Sequence, residues 1–236
     1  MITALFLAAL SCPPAQTIDL DLDKWRAQTK RVKGNAAIKA HAAKVGIRLE
    51  ALDDGKFRFS SVDTFEAKLT DSVTPDRVIQ LYYRHYGHQE RELEGCEMRL
   101  AVLQPLAPDR WCLAGTLGRA RADYEHPCDG VPYSPLPLVV HFTPLLHPDR
   151  VVMRVTTMGG ACYGAERSSA ISTAFHAIVD GRLEKIFSAI LYDASYVSPT
   201  PPTSSITGTV IYGKGSPKPI TLVTEYACHD DDFEEK

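Results

Sequence analysis

Residues Ser169 to Tyr192 read SAISTAFHAIVDGRLEKIFSAILY, and the fold turns on how this stretch is parsed. Ile171, Ala174, Phe175 and Ile178 fit a helical period, whereas Ile171, Thr173, Phe175, Ala177 and Val179 fit the alternation of a strand. Asp180-Gly181 decides between them. Asp-Gly between apolar runs is the sequence of a tight type I′ hairpin, and two residues hardly join two antiparallel helices. The stretch is therefore expected to be two antiparallel strands.

The same texture extends outward in both directions. Arg99–Gln104 and Trp111–Leu117 flank Pro105–Asp109, and Leu138–Thr143 and Val151–Thr157 flank Pro144–Asp149. Both turns run through a Pro-Leu…Pro-Asp-Arg segment and predict hairpins. Ile206–Tyr212 and Ile220–Tyr226 flank Gly213-Lys214-Gly215-Ser216, a fourth hairpin. This Gly-rich turn lacks the spacing of a phosphate-binding loop. Ser198–Ser205 (SPTPPTSS) reads as a loop.

The N-terminal part differs. Asp23 is placed to cap a helix beginning at Lys24, with Trp25 and Val32 on one face. Ala36–Val45 has helical character and stops at Gly46. Ile47–Leu52 and Lys56–Val62 flank Asp53-Asp54-Gly55, a hairpin signature. Thr74-Pro75 reads as a helix start, continued by Val78, Leu81, Tyr82 and Tyr86 as far as Gly87. The expected fold is α+β, with N-terminal helices followed by a mostly antiparallel β-sheet of about eight strands built from consecutive hairpins. The expected organisation is a leader over 1–17, a helical lead-in with one hairpin over 18–95, an antiparallel β domain over 96–228, and an acidic disordered tail over 229–236.

Met1 to Thr17 contains no charged side chain, and Ile2–Leu10 is an apolar run. It is too short to span a bilayer, which takes roughly 20 apolar residues, and it fits a secretory signal. Ala9-Leu10-Ser11-Cys12 resembles a bacterial lipobox, which would make Cys12 a lipidation site and end the leader before it. The chain holds six cysteines, and no two are spaced as a C-x-x-C pair. This disfavours zinc-ribbon and thioredoxin-like sites and favours disulfides in an oxidising compartment. Beyond Cys12 the candidates are Cys96, Cys112, Cys128, Cys162 and Cys228, with Cys128–Cys162 the first expected pair. The register of the Arg99–Leu117 hairpin sets Cys112 opposite Leu103 and Cys96 near Arg119, so those two are not partners. The net charge is −3, and no basic stripe interleaves with aromatics, which disfavours nucleic acid.

Two constellations carry chemistry. Gly160-Ala161-Cys162-Tyr163-Gly164 has the pattern of a nucleophile turn with Cys for Ser, which would take His176 or His229 as its base. Against it, an exported chain uses such a cysteine in a disulfide. His85 and His88, at i and i+3 on the expected helix, would share a face as metal ligands, but no third ligand is fixed. Neither set is compelling. The expectation is an exported envelope protein of binding rather than enzymatic type, possessing no cofactor. Its partner would be another protein, as for an inhibitor or immunity-type protein against an envelope-targeting enzyme. The membrane would be involved only through Cys12. The alternatives are a Cys162 hydrolase and a structural, lipid-anchored envelope component.

Overall fold

A computed structural model of the chain describes residues 12–49, 56–86, 93–123, 139–147, 149–163, 166–197, 204–215 and 217–228. After a 3-10 turn at Pro14–Gln16 come β1 (Thr17–Asp19), α1 (Leu22–Thr29), α2 (Asn35–Ala43), β2 (Lys56–Ala67), β3 (Asp76–Tyr86), β4 (Leu93–Ala107) and β5 (Arg110–Asp123). Then follow β6 (Val139–His147), β7 (Arg150–Tyr163), β8 (Glu166–Val179), β9 (Arg182–Val197), β10 (Ser204–Tyr212) and β11 (Ile220–Cys228). The N-terminal helices and the antiparallel strands match the expected class, but the described residues are mostly strand, with only two short helices. The fold is thus more β-rich than expected, and its strands form two sheets rather than one. Their orders are β1-β5-β4-β3-β2 and β11-β10-β9-β8-β7-β6.

Asp180 and Gly181 both have positive φ (48° and 76°), as a type I′ turn requires, and β8 and β9 pair from Val179↔Arg182 to Glu166↔Val197. The 99–117, 138–157 and 206–226 hairpins also form, as β4–β5, β6–β7 and β10–β11. The helix expected over Thr74–Tyr86 does not. Asp76–Tyr86 is strand β3, in the interior of the first sheet between β2 and β4. Val78, Ile79, Leu81 and Tyr83 are all fully buried there. A strand covered on both faces carries apolar residues at successive positions, and that erases the alternation by which strands are recognised. β2 pairs with β3, and Ile47–Leu49 of the hairpin expected over 47–62 form no strand. Residues 50–55 of that expected hairpin lie outside the described residues, as do the loop at 198–203 and the tail at 229–236.

The first sheet separates two cores. On one face α1, α2 and the turn after α2 lay Leu22, Trp25, Ile38, Ala42 and Val45 on Ile79, Leu81, Tyr83, Ala101 and Leu103. On the other, Val78, Met98, Leu100, Val102 and Ala114 meet Met153, Val155 and Ile178 of the second sheet. The layers are helices, sheet and sheet, and each fully buried aliphatic side chain contributes about 1.5–3 kcal/mol. The helix pair is fixed by Trp25, which stacks on His41 at 4.9 Å and donates from Nε1 to the His41 carbonyl at 3.0 Å. His41 Nε2 lies 3.0 Å from Thr29 Oγ1. The helix cap is Asp21 rather than Asp23. Its side chain accepts from Lys24 N at 2.9 Å, so the helix starts at Leu22, whose side chain is buried.

The sheets are also tied through residues 68–76. Buried Asp76 accepts hydrogen bonds from Leu69 N (3.0 Å), Thr70 N (2.9 Å) and Thr70 Oγ1 (3.0 Å). Val151 N donates to Lys68 O at 2.8 Å, and Arg150 reaches Leu69 O and Asp71.

Candidate functional site

Cys112 is buried and forms a disulfide with Cys12, Cα to Cα 5.7 Å. β1 pairs with β5 beside it, Thr17↔Cys112, so the first residues after Cys12 are stitched onto the edge of the first sheet. This bond replaces the leader or lipid-anchor role expected for Cys12. A sulfur engaged in this disulfide is not available for a lipid thioether. Cys96 is opposite Ala122, and Cys112 is opposite Gln104. The two are therefore not cross-strand partners, although bulges shift the register from the expected Leu103 and Arg119. Cys228 ends β11, opposite Ser204. Cys128 and His229 lie outside the described residues.

The nucleophile turn at Cys162 is not a turn. β7 continues through Gly160, Ala161 and Cys162 to Tyr163, with Gly160↔Ser169 and Cys162↔Arg167 in an antiparallel ladder. A nucleophile turn needs a sharp strand-to-helix reversal, and β7 is instead followed by strand β8. His176 is opposite Met153, about 30 Å along the strand from Cys162 at ~3.3 Å per residue. It is no base for that sulfur. His176 is buried between the sheets beside Lys185, and burial first, then the lysine charge, lowers its pKa to about 4. Its Nδ1 has no hydrogen-bond partner among the described residues. It is a neutral core histidine. His85 is on strand β3, which removes the helical face it was expected to share with His88. His88 lies outside the described residues. Among the described residues no group of three His, Cys, Asp or Glu side chains is arranged to hold a metal.

The second sheet carries the most distinctive surface. Its outer face is rolled about Phe175, which is fully buried and contacts Phe187 at 5.7 Å and Tyr212 at 6.2 Å, ring centre to ring centre. Arg154 Nη1 donates to Tyr212 Oη at 3.2 Å across this interior. The roll is made by Gly208. A Cβ there would lie 2.3 Å from Ile190 O, and β10 pairs with β9 only from Ser204 to Thr207. Beyond that point β10 and β11 leave the sheet as a two-stranded arm. The arm folds back far enough for Lys218 N to donate to Leu145 O at 2.7 Å.

The arm is packed at one end and bare at the other. Tyr212, Val210 and Ile220 join the cluster around Phe175. The register puts Leu222 and Tyr226 on that same face, opposite Val210 and Ile206, but they are 36% and 67% exposed. Val223 and Ile211, on the reverse face, are 42% and 49% exposed. Among the described residues β11 pairs only with β10 and ends the sheet. The sequence showed this hairpin, but no local signal told that its apolar residues would lack a cover. Comparison with protein-family models, curated proteins and solved structures finds no match.

Proposed function

We propose that this is an exported, disulfide-stabilised binding protein whose partner is another protein docked on the β10–β11 arm. The uncovered end of that arm carries the proposal. An edge strand offers a row of backbone donors and acceptors to an added strand. Exposed Leu222, Val223 and Tyr226 supply the apolar and aromatic contacts typical of interface centres. Within β11 the only charge is Glu225, so little on this edge opposes pairing with a partner strand. The Cys12–Cys112 disulfide supports an oxidising compartment, with the leader removed upstream of Cys12. An inhibitor or immunity-type role against an envelope-targeting enzyme fits a protein that works by occupying a partner.

The test uses the full mature chain as bait in periplasmic extract at moderate salt, beside Leu222→Lys and Tyr226→Lys versions of it. The Tyr226 side chain is 67% exposed, so its substitution leaves stability within about 0.5 kcal/mol, and circular dichroism verifies the fold of the Leu222 variant. The expected result is one partner retained by the parent and lost with either variant. A partner held equally by all three baits, or no partner for folded parent, would sink the proposal.

A further inference from the structure

A second surface, remote in sequence from the arm, has a different chemistry. The link between α1 and α2 and the edge strand β2 enclose an open cleft of about 530 Å³, within the usual range for small-molecule sites. Lys30, Lys33 and Arg58 line it, and among the described residues no acidic side chain does. Lys30 and Lys33 make no ion pair among the described residues. Val32, Ile38 and Phe59 supply its apolar wall, with Ile38 buried in the core below. Lys30 and Lys33, facing one cavity beside Arg58, repel each other, and an anion in the cavity relieves that repulsion. The adjoining turn adds to the same preference, since α2 starts at Gly34 and has no side-chain cap on its first N–H groups.

We propose that this cleft binds an anionic amphiphile, a phosphate-type oxyanion held by Lys30, Lys33 and Arg58 with an alkyl or aryl group against Val32, Ile38 and Phe59. Both halves of the lining are needed for that ligand class. Cations alone would take any small anion, and the apolar wall alone would take any hydrocarbon. A phospholipid headgroup and a soluble phosphate ester share this chemistry.

The test is titration calorimetry on the full mature chain with octyl phosphate, inorganic phosphate, octyl glucoside and octyltrimethylammonium. Octyl phosphate is expected to bind saturably at a single site and to weaken as salt rises. Inorganic phosphate should bind at least 10-fold more weakly, and the neutral and cationic amphiphiles should not compete. Lys33→Glu combined with Lys30→Gln should weaken octyl phosphate at least 10-fold at unchanged circular dichroism. Should that variant misfold, the salt dependence of the parent and competition by octyl glucoside decide instead. Unchanged affinity in the folded variant, equal binding of octyl glucoside, or inorganic phosphate binding as tightly as octyl phosphate would each overturn the proposal. Flotation with phosphatidylglycerol against phosphatidylcholine vesicles assigns the source. Retention on the anionic vesicles, competed by octyl phosphate, indicates a lipid headgroup. Octyl phosphate binding without vesicle retention indicates a soluble ester. Tyr226→Lys, on the arm, should leave all of these unchanged, so this site and the protein-binding surface fail or stand separately.

Discussion

Cys12 and Cys112 are bonded across 100 residues of chain, and the bond lies where β1 meets β5, opposite Thr17. It therefore closes nearly half the protein into a loop and fastens its described N-terminal end to the sheet. Non-reducing peptide mapping is expected to find this pair in the mature protein, with the chain starting upstream of Cys12. A lipid-modified Cys12, or a chain starting beyond it, would show the assignment to be wrong.

The same bond sets a stability prediction. Constraining a loop of this length is worth up to about 4.7 kcal/mol by chain entropy, and native disulfides typically contribute about 2–5 kcal/mol. Cys112→Ala is expected to lose an amount in that range in urea unfolding. Cys12→Ala should cost about the same, and the Cys12→Ala, Cys112→Ala double variant should lose nothing further.

His176 predicts an acid-side loss of stability. Its folded pKa, about 4, is below the ordinary 6.5 because of burial and then Lys185. Between those values the unfolded chain binds the proton that the folded chain refuses, so stability falls as pH drops from 6.5 toward 4. The difference corresponds to about 3 kcal/mol when fully expressed. Buried His41, lowered by burial and then Lys44, acts in the same direction. His176→Gln is expected to flatten this part of the stability–pH curve, and an unchanged slope would remove His176 as its source.

Asp76 fixes the β2–β3 link, whose Lys68, Leu69 and Asp71 reach Arg150 and Val151 of the second sheet. Asp76→Ala leaves the Leu69 and Thr70 amides without their acceptor, at a cost of about 2–4 kcal/mol for two groups. Amide exchange at Leu69 and Thr70 should accelerate first. Protection that survives the substitution would mean that these amides are held by other acceptors.

Gly208 makes the corner at which the arm departs. Any side chain there meets the Ile190 carbonyl, a backbone atom that has little room to yield. Gly208→Ala is expected to cost about 1–3 kcal/mol and to raise amide exchange across β10 and β11 while β7 and β8 stay protected. Uniform exchange across the second sheet would show that the arm is not a separable unit.

What local sequence could show, it showed well. Asp180-Gly181 identified β8–β9, because a turn of that kind is fixed by the conformations its own two residues adopt. The Pro-Asp turns and the Ala-rich helix at Asn35–Ala43 were legible for the same reason. β3 was misread because Val78, Leu81 and Tyr82 fit a helical period, and only burial on both faces explains why Ile79 and Tyr83 are apolar as well. The glycines around Cys162 suggest a turn in one dimension, while the ladder to β8 carries the strand through Gly160 and Cys162.

The candidate sites belong almost wholly to the tertiary level. Lys30, Lys33 and Arg58 are ordinary surface cations in one dimension and line a single cleft only after α1, α2 and β2 are assembled. Leu222 and Tyr226 are ordinary strand residues until the bend at Gly208 carries their hairpin off the sheet and leaves them partly exposed. The sequence by itself determined the β4–β5, β6–β7, β8–β9 and β10–β11 hairpins, the two helices and the cysteine content, because turns, caps and periods are set by near neighbours. Only the tertiary structure decided that Cys12 meets Cys112, that β3 is central, and which apolar residues go without cover. Those outcomes depend on which distant segments come together, and no local stretch of chain encodes that meeting.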